Sequence, residues 1–127
     1  MKTIIIDTNF LMIPAQFNVD IFDEIDRICK FGYELKIMEG TPNELEYILK
    51  GKEPKDKKAA KMALTLIKNY SLKTLPMQGM DVDAAILDLP KKDLIVATQD
   101  MALKHSLQAK GIPLLVLRKE KHLQIVE

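Results

Sequence analysis

Ile4-Ile5-Ile6-Asp7-Thr8-Asn9 and, much later, Leu94-Ile95-Val96-Ala97-Thr98-Gln99-Asp100 share one grammar: a short apolar run, a carboxylate and polar neighbours. Neither run alternates. A strand that stays apolar at every position suits the centre of a parallel sheet with helices on both faces. In such sheets ligands bind beyond the carboxyl ends of the strands. Both runs end in an acid, so the first expectation is an oxygen-rich, anionic site at one edge of the sheet. That chemistry suits a hard divalent cation.

Working outward, the segment from Asp7 through Pro14 reads as a loop, and residues 18 to 30 carry Val19, Phe22, Ile25 and Ile28 at helical spacing before Gly32. Glu34 to Met38 reads as a second strand. Gly40-Thr41-Pro42 reads as a helix start, with Thr41 as cap and Glu44 three residues later in the capping-box position. That helix runs to about Lys50, and Lys55 to Tyr70 forms another with a basic outer face. Ser71 to Leu75 is a short strand, and Asp81 to Leu89 a short helix that stops before Pro90. The strand at 94–97, a helix from Asp100 to Lys110 and the strand Pro113 to Leu117 complete the pattern, with 118–127 a charged tail. Strands alternating with helices predict an α/β fold, residues 1–127 forming one domain. If the first and fourth strands are neighbours, Asp7 and Asp100 sit over the point where the winding reverses.

Composition narrows the class. The chain has 127 residues, 47% hydrophobic and 29% charged, enough for one real core and too few for two. A formal net charge of +1 announces no global positive field, so any basic surface for a polyanion must be local. The single cysteine, Cys29, excludes an internal disulfide and a thiolate zinc cluster. No stretch approaches the roughly 20 apolar residues that span a bilayer. The expected setting is cytoplasmic, without membrane association. The seven methionines are scattered and read as core filler.

Four acids each admit two readings. Asp7 stands where an ionised group is costly unless a cation or several donors compensate it; its other reading is a turn cap. Its neighbour Asn9 can position an acid or a phosphate oxygen, or simply shape the turn. Glu44 either closes the capping box or points into the cleft, Asp83 either binds metal or favours the helix dipole, and Asp100 either joins the site or caps the next helix. Together the four suit two cations about 4 Å apart, an arrangement that activates water and stabilises the leaving oxygen of a phosphodiester. Neither histidine lies in such a motif: His105 reads as a helix surface residue and His122 as part of the tail.

Ile4-Ile5-Ile6-Asp7-Thr8-Asn9, Thr41-Pro42-Asn43-Glu44-Leu45, Asp83-Ala84-Ala85-Ile86-Leu87 and Val96-Ala97-Thr98-Gln99-Asp100, in that order, resemble the acidic motifs of PIN domains. The resemblance spans nearly the whole chain. It implies a three-layer α/β/α fold around a central, mainly parallel five-stranded sheet, and metal-dependent endoribonuclease activity with Mg2+ or Mn2+. By position it assigns Asp7, Glu44, Asp83 and Asp100 to the catalytic and metal-binding quartet, with Thr8, Asn9 and Thr98 in support. RNA is the implied substrate, in processing or as the target of a toxin-type ribonuclease. A homodimer, an antitoxin and a ribosome-assembly protein are the implied partners. The chain departs from many archaeal relatives in carrying Ala84 and Gln99 where those have Asp and Asn.

Lys52, Lys55, Lys57, Lys58 and Lys61 form the densest basic stretch and are candidates to draw RNA by counterion release; a solvated helix face explains them equally well. With few aromatics, base stacking is not expected to supply sequence specificity. Two other classes remain. A haloacid-dehalogenase-like phosphatase wants a second aspartate two residues after the first, where this chain has Asn9. A non-catalytic RNA-binding or assembly module needs no intact acid site at all.

Overall fold

The computed structural model describes residues 1–127. Its strands are β1 (Lys2–Ile6), β2 (Tyr33–Met38), β3 (Lys73–Leu75), β4 (Leu94–Ala97), β5 (Leu114–Arg118) and β6 (His122–Val126). They form one sheet in the order β3-β2-β1-β4-β5-β6, parallel throughout except for the antiparallel β5–β6 pair. The helices are α1 (Ile13–Phe17), α2 (Ile21–Ile28), α3 (Thr41–Leu49), α4 (Pro54–Asn69), α5 (Val82–Leu87) and α6 (Met101–Ala109).

The apolar runs behave as their lack of alternation requires. Ile4, Ile5 and Ile6 are all fully buried, but they feed opposite faces. Ile4 and Ile6 join Ile37, Ile95 and Ala97 beneath α1 to α4, packed with Phe10, Ile21, Ile25, Leu45 and Ala60. Ile5, Met38 and Val96 join Val82, Ile86, Leu103 and Leu107 beneath α5 and α6. Period-two geometry thus splits each run between two cores, giving the three-layer α/β/α arrangement of the expectation. No helix is long and apolar enough to cross a membrane.

β1 lies beside β4 in register Ile4↔Ile95, Ile5↔Val96, Ile6↔Ala97, and the Asp7 N–H continues the ladder to the Ala97 carbonyl at 2.9 Å. From β1 the chain winds outward through β2 and β3, then returns to the other side of β1 with β4. Asp7 and Asp100 therefore stand over the reversal point.

Three expectations need correction. The sheet has six strands, not five, because residues 118–127 are not a free tail. Lys119 and Glu120 take left-handed conformations (φ 53° and 56°) and turn the chain into β6, whose Leu123 is buried in the larger core. The run of charge hid this hairpin: turn residues of this hand are usually Asn or Gly, and here they are Lys and Glu. The segment to Pro14 is likewise not a loop but a 3-10 turn, Phe10–Met12, leading into α1, with Phe10, Leu11 and Ile13 fully buried. Pro14 sits in the first turn of α1, where a missing N–H costs nothing.

The third correction concerns α3. Its cap residue is Gly40, and no side chain caps the helix. Thr41 already lies inside the helix and is buried. The capping box does not form, which frees Glu44 for the cleft.

Candidate active site

Above the β1 and β4 ends lies a cavity of about 540 Å³ lined by Asp7, Thr8, Asn9, Met12, Asn43, Glu44, Tyr47, Ile48, Asp83 and Asp100. The four singled-out acids thus meet in one cleft although each comes from a different element. Asp7 follows β1, Glu44 lies in the first turn of α3, Asp83 in the first turn of α5, and Asp100 begins α6. No lysine or arginine lines this cavity.

Asp7 is the anchor, only 3% exposed. The Thr98 hydroxyl donates to its Oδ2 at 2.7 Å, and the Thr8 N–H donates to its Oδ1 at 2.9 Å. Thr98, fully buried, also accepts from the Asp100 N–H at 3.1 Å, so one hydroxyl ties the two acid-bearing strand ends together. The Asn9 amide oxygen accepts from the Gln99 N–H at 3.0 Å, a second tie between the same loops. Asn9 therefore braces the β4 end as well as lining the cavity. The Thr8 hydroxyl donates to Glu44 and lies 3.3 Å from the Thr41 hydroxyl.

Asp100 does both things its position allowed. Its Oδ1 accepts from the Leu103 N–H at 2.9 Å, capping α6, while the residue also lines the cavity. Asp83 is not the cap of α5; that role belongs to Asp81, which accepts from the Ala84 N–H at 2.9 Å. Of the pair Asp83-Ala84, it is Asp83 that lines the cavity.

The electrostatics follow from burial and crowding. Burial pushes Asp7 up to about 6 against the pull of its Thr98 and Thr8 hydrogen bonds, with the charges of Asp83 and Glu44 adding to the rise. Asp83 is raised too, by burial first and then by Asp100, Glu44 and Asp81. Such a group of mutually repelling carboxylates favours any cation that enters. Every donor is a hard oxygen, the set that magnesium and manganese prefer. As the side chains stand, no three acids converge closely enough to hold an ion on their own. A cation held here would need waters to complete its shell, which magnesium usually keeps.

Four lining residues escaped the sequence reading: Met12, Asn43, Tyr47 and Ile48. A signal was there for two of them. Tyr47 and Ile48 follow Glu44 by three and four residues, so once Glu44 faces the cleft they must share its side of α3. The lysines divide differently: Lys55 and Lys58 line a separate groove with Ala15, Gln16, Phe17, Asp56 and Gln99, while Lys52, Lys57 and Lys61 are exposed and line neither cavity. Gln99 lies between Thr98 and Asp100, which puts this groove next to the acidic one. His105 is exposed on α6, and His122 lies in β6 rather than in a tail.

Residues 4–120 match the family described as PIN like domain. The chain belongs to this family. Among curated proteins this PIN-like domain is similar to Ribonuclease VapC4 of Methanocaldococcus jannaschii, at 36% identity over 98% of this chain and 97% of that protein. It is also similar to Ribonuclease VapC9 of Archaeoglobus fulgidus, at 26% identity over 95% of this chain and 87% of that protein. Among solved structures, the PIN domain endonuclease Utp24 superposes with a TM-score of 0.79 and 26% identity, covering 97% of this chain and 90% of that one.

Proposed function

We propose that this PIN-like domain is an endoribonuclease that hydrolyses RNA phosphodiester bonds in the acidic cleft, acting in the cytoplasm in RNA processing or as a toxin-type ribonuclease. The observation that carries this reading is the convergence of Asp7, Glu44, Asp83 and Asp100 on one cavity without a lysine or arginine. The similarity to two ribonucleases and to an endonuclease of the same fold supports it.

An anionic pocket repels the backbone it is to cut, so its charge must be offset. A divalent cation, magnesium or manganese, supplies that positive charge and makes water easier to deprotonate. Asp7, Glu44, Asp83 and Asp100 are the residues to hold it, with waters completing the shell. Thr98 and the Thr8 N–H fix both oxygens of Asp7, and the Thr8 hydroxyl fixes Glu44, so these two carboxylates need little reorganisation on binding. Asp83 and Asp100, lining the same cleft, accept hydrogen bonds from the attacking water and direct it at phosphorus. The water oxygen bonds to phosphorus as it gives a proton to Asp83 or Asp100, the bond to the leaving ribose oxygen breaks, and that oxygen takes up a proton from solvent, to which the carboxyl returns its own. Lys55 and Lys58 bind flanking phosphates in the adjoining groove. An antitoxin or a ribosome-assembly protein is the partner in the respective cellular role, and a second copy of this chain is the remaining candidate.

The test is cleavage of mixed single-stranded and structured RNA with added magnesium or manganese, by wild type and by Asp7→Asn. Metal-dependent cleavage is expected from wild type and not from the variant. Equal cleavage by both removes the proposed site, and no cleavage by either favours a binding or assembly module.

A further inference from the structure

Tyr47 is 81% exposed, more than any other aromatic residue of the chain, yet it lines the same cavity as the four carboxylates. Both other tyrosines pair with neighbouring rings, Tyr70 stacked on Phe22 at 3.9 Å and Tyr33 edge-on to Phe31 at 6.4 Å; Tyr47 pairs with none. It stands one turn after Asn43 and three residues after Glu44 on α3, with Met12 and Ile48 beside it. The cavity therefore combines its four carboxylates with a partly apolar wall formed by Met12, Tyr47 and Ile48. A bare phosphate has no use for such a wall, whereas a nucleotide carries a flat apolar base beside its phosphate.

We propose that Tyr47 is a positioning residue on which a nucleobase flanking the scissile phosphate stacks, with the Asn43 amide facing the edge of that base. The inference rests on the ribonuclease reading above. Stacking tolerates any base, because every base presents a π-face, so Tyr47 sets where the strand lies rather than which sequence is cut. The Asn43 amide, with both donors and an acceptor, is the group that discriminates between base edges. The ring acts on bound substrate before and during the reaction alike, so its loss raises KM and leaves kcat in place.

The experiment measures steady-state cleavage of a single-stranded RNA oligonucleotide by wild type, Tyr47→Phe and Tyr47→Ala. The same oligonucleotide is also prepared with one abasic residue placed in turn on either side of the cleaved bond. Tyr47→Ala is expected to raise KM roughly tenfold with kcat kept, and Tyr47→Phe to stay near wild type. An abasic residue at one flanking position raises KM of wild type to a similar extent and has no further effect on Tyr47→Ala. Unchanged KM in Tyr47→Ala overturns the inference, as does a Phe variant as impaired as the Ala variant, or abasic and Ala effects that simply multiply. If Tyr47→Ala cleaves normally but elutes with a different oligomeric state, the ring serves a protein interface and the inference also fails. Wild type that cleaves no RNA overturns the ribonuclease reading itself, whereas wild-type cleavage with an indifferent Tyr47 removes this inference alone.

Discussion

The Thr98 hydroxyl donates to the Asp7 carboxylate at 2.7 Å across the ends of two adjacent parallel strands. Because the same oxygen accepts the Asp100 N–H, it fixes the spacing between two acids that lie far apart in the sequence. We predict that Thr98→Val, which keeps the shape and removes the hydroxyl, leaves an Asp7 oxygen and the Asp100 N–H short of a partner. The expected cost is about 1–3 kcal/mol of stability by urea unfolding, since such groups lose their full desolvation compensation. Thr98→Ser should recover most of it. A Val variant as stable and active as wild type means that the bond positions nothing.

The rise of Asp7 to about 6 has a definite sign for stability. As pH falls through about 6 the folded chain takes up a proton that the unfolded chain, with its carboxyl near 3.8, does not yet bind. Protonation thus stabilises the fold progressively from pH 6 down to about 4, by an amount on the order of 2–3 kcal/mol. In chelator, wild type should therefore gain stability between pH 7 and pH 5, and Asp7→Asn should show much less of that gain while being the more stable protein at pH 7. Added magnesium should shift wild type more than the variant. Parallel pH curves for the two proteins would show that Asp7 is ionised in both folded and unfolded chains alike.

How much of this was legible in the sequence depended on whether the deciding physics was local. Ile4–Ile6 and Leu94–Ala97 declared two-sided burial by composition alone, and the structure places them side by side with their carboxylates at the reversal point. Glu44 was ambiguous because a helix beginning at Thr41 rather than after it changes what residue 44 faces, and a shift of one residue lies beyond local signals. Tyr47 was hidden for the same reason: its face of α3 has meaning only once Glu44 is placed. The β5–β6 hairpin hid behind charge, since Leu123 and Ile125 alternate as a strand should but follow Arg118-Lys119-Glu120-Lys121.

That hairpin makes a prediction about the last residues. Leu123 is 2% exposed in the larger core, and its N–H donates to Glu24 at 2.9 Å, tying β6 to α2. Leu123→Ala should cost about 2–4 kcal/mol through lost burial and the cavity it leaves. Truncation after Arg118 should be worse, because it also uncovers the edge of β5 as a pairing surface. Unfolding midpoints and light scattering of the two variants decide this: a truncated chain as stable and monodisperse as the full one would mean that residues 119–127 behave as a tail after all.

Lys55 and Lys58 share a groove with Gln99, adjoining the acidic cleft, while Lys57 and Lys61 do not line it. If the groove carries flanking phosphates, each lysine that neutralises one releases counterion, and for single strands the slope of log affinity against log salt becomes shallower by about 0.7 for every phosphate left without its lysine. We predict that Lys55→Ala with Lys58→Ala, in an Asp7→Asn background that binds without cutting, weakens RNA binding and flattens this slope by about 1.4. Lys57→Ala with Lys61→Ala removes the same charge from the same helix and should flatten it far less. Fluorescence anisotropy over a salt series compares the pairs directly, and equal slopes for both would reduce the lysines to a diffuse charged helix face with no path for the strand.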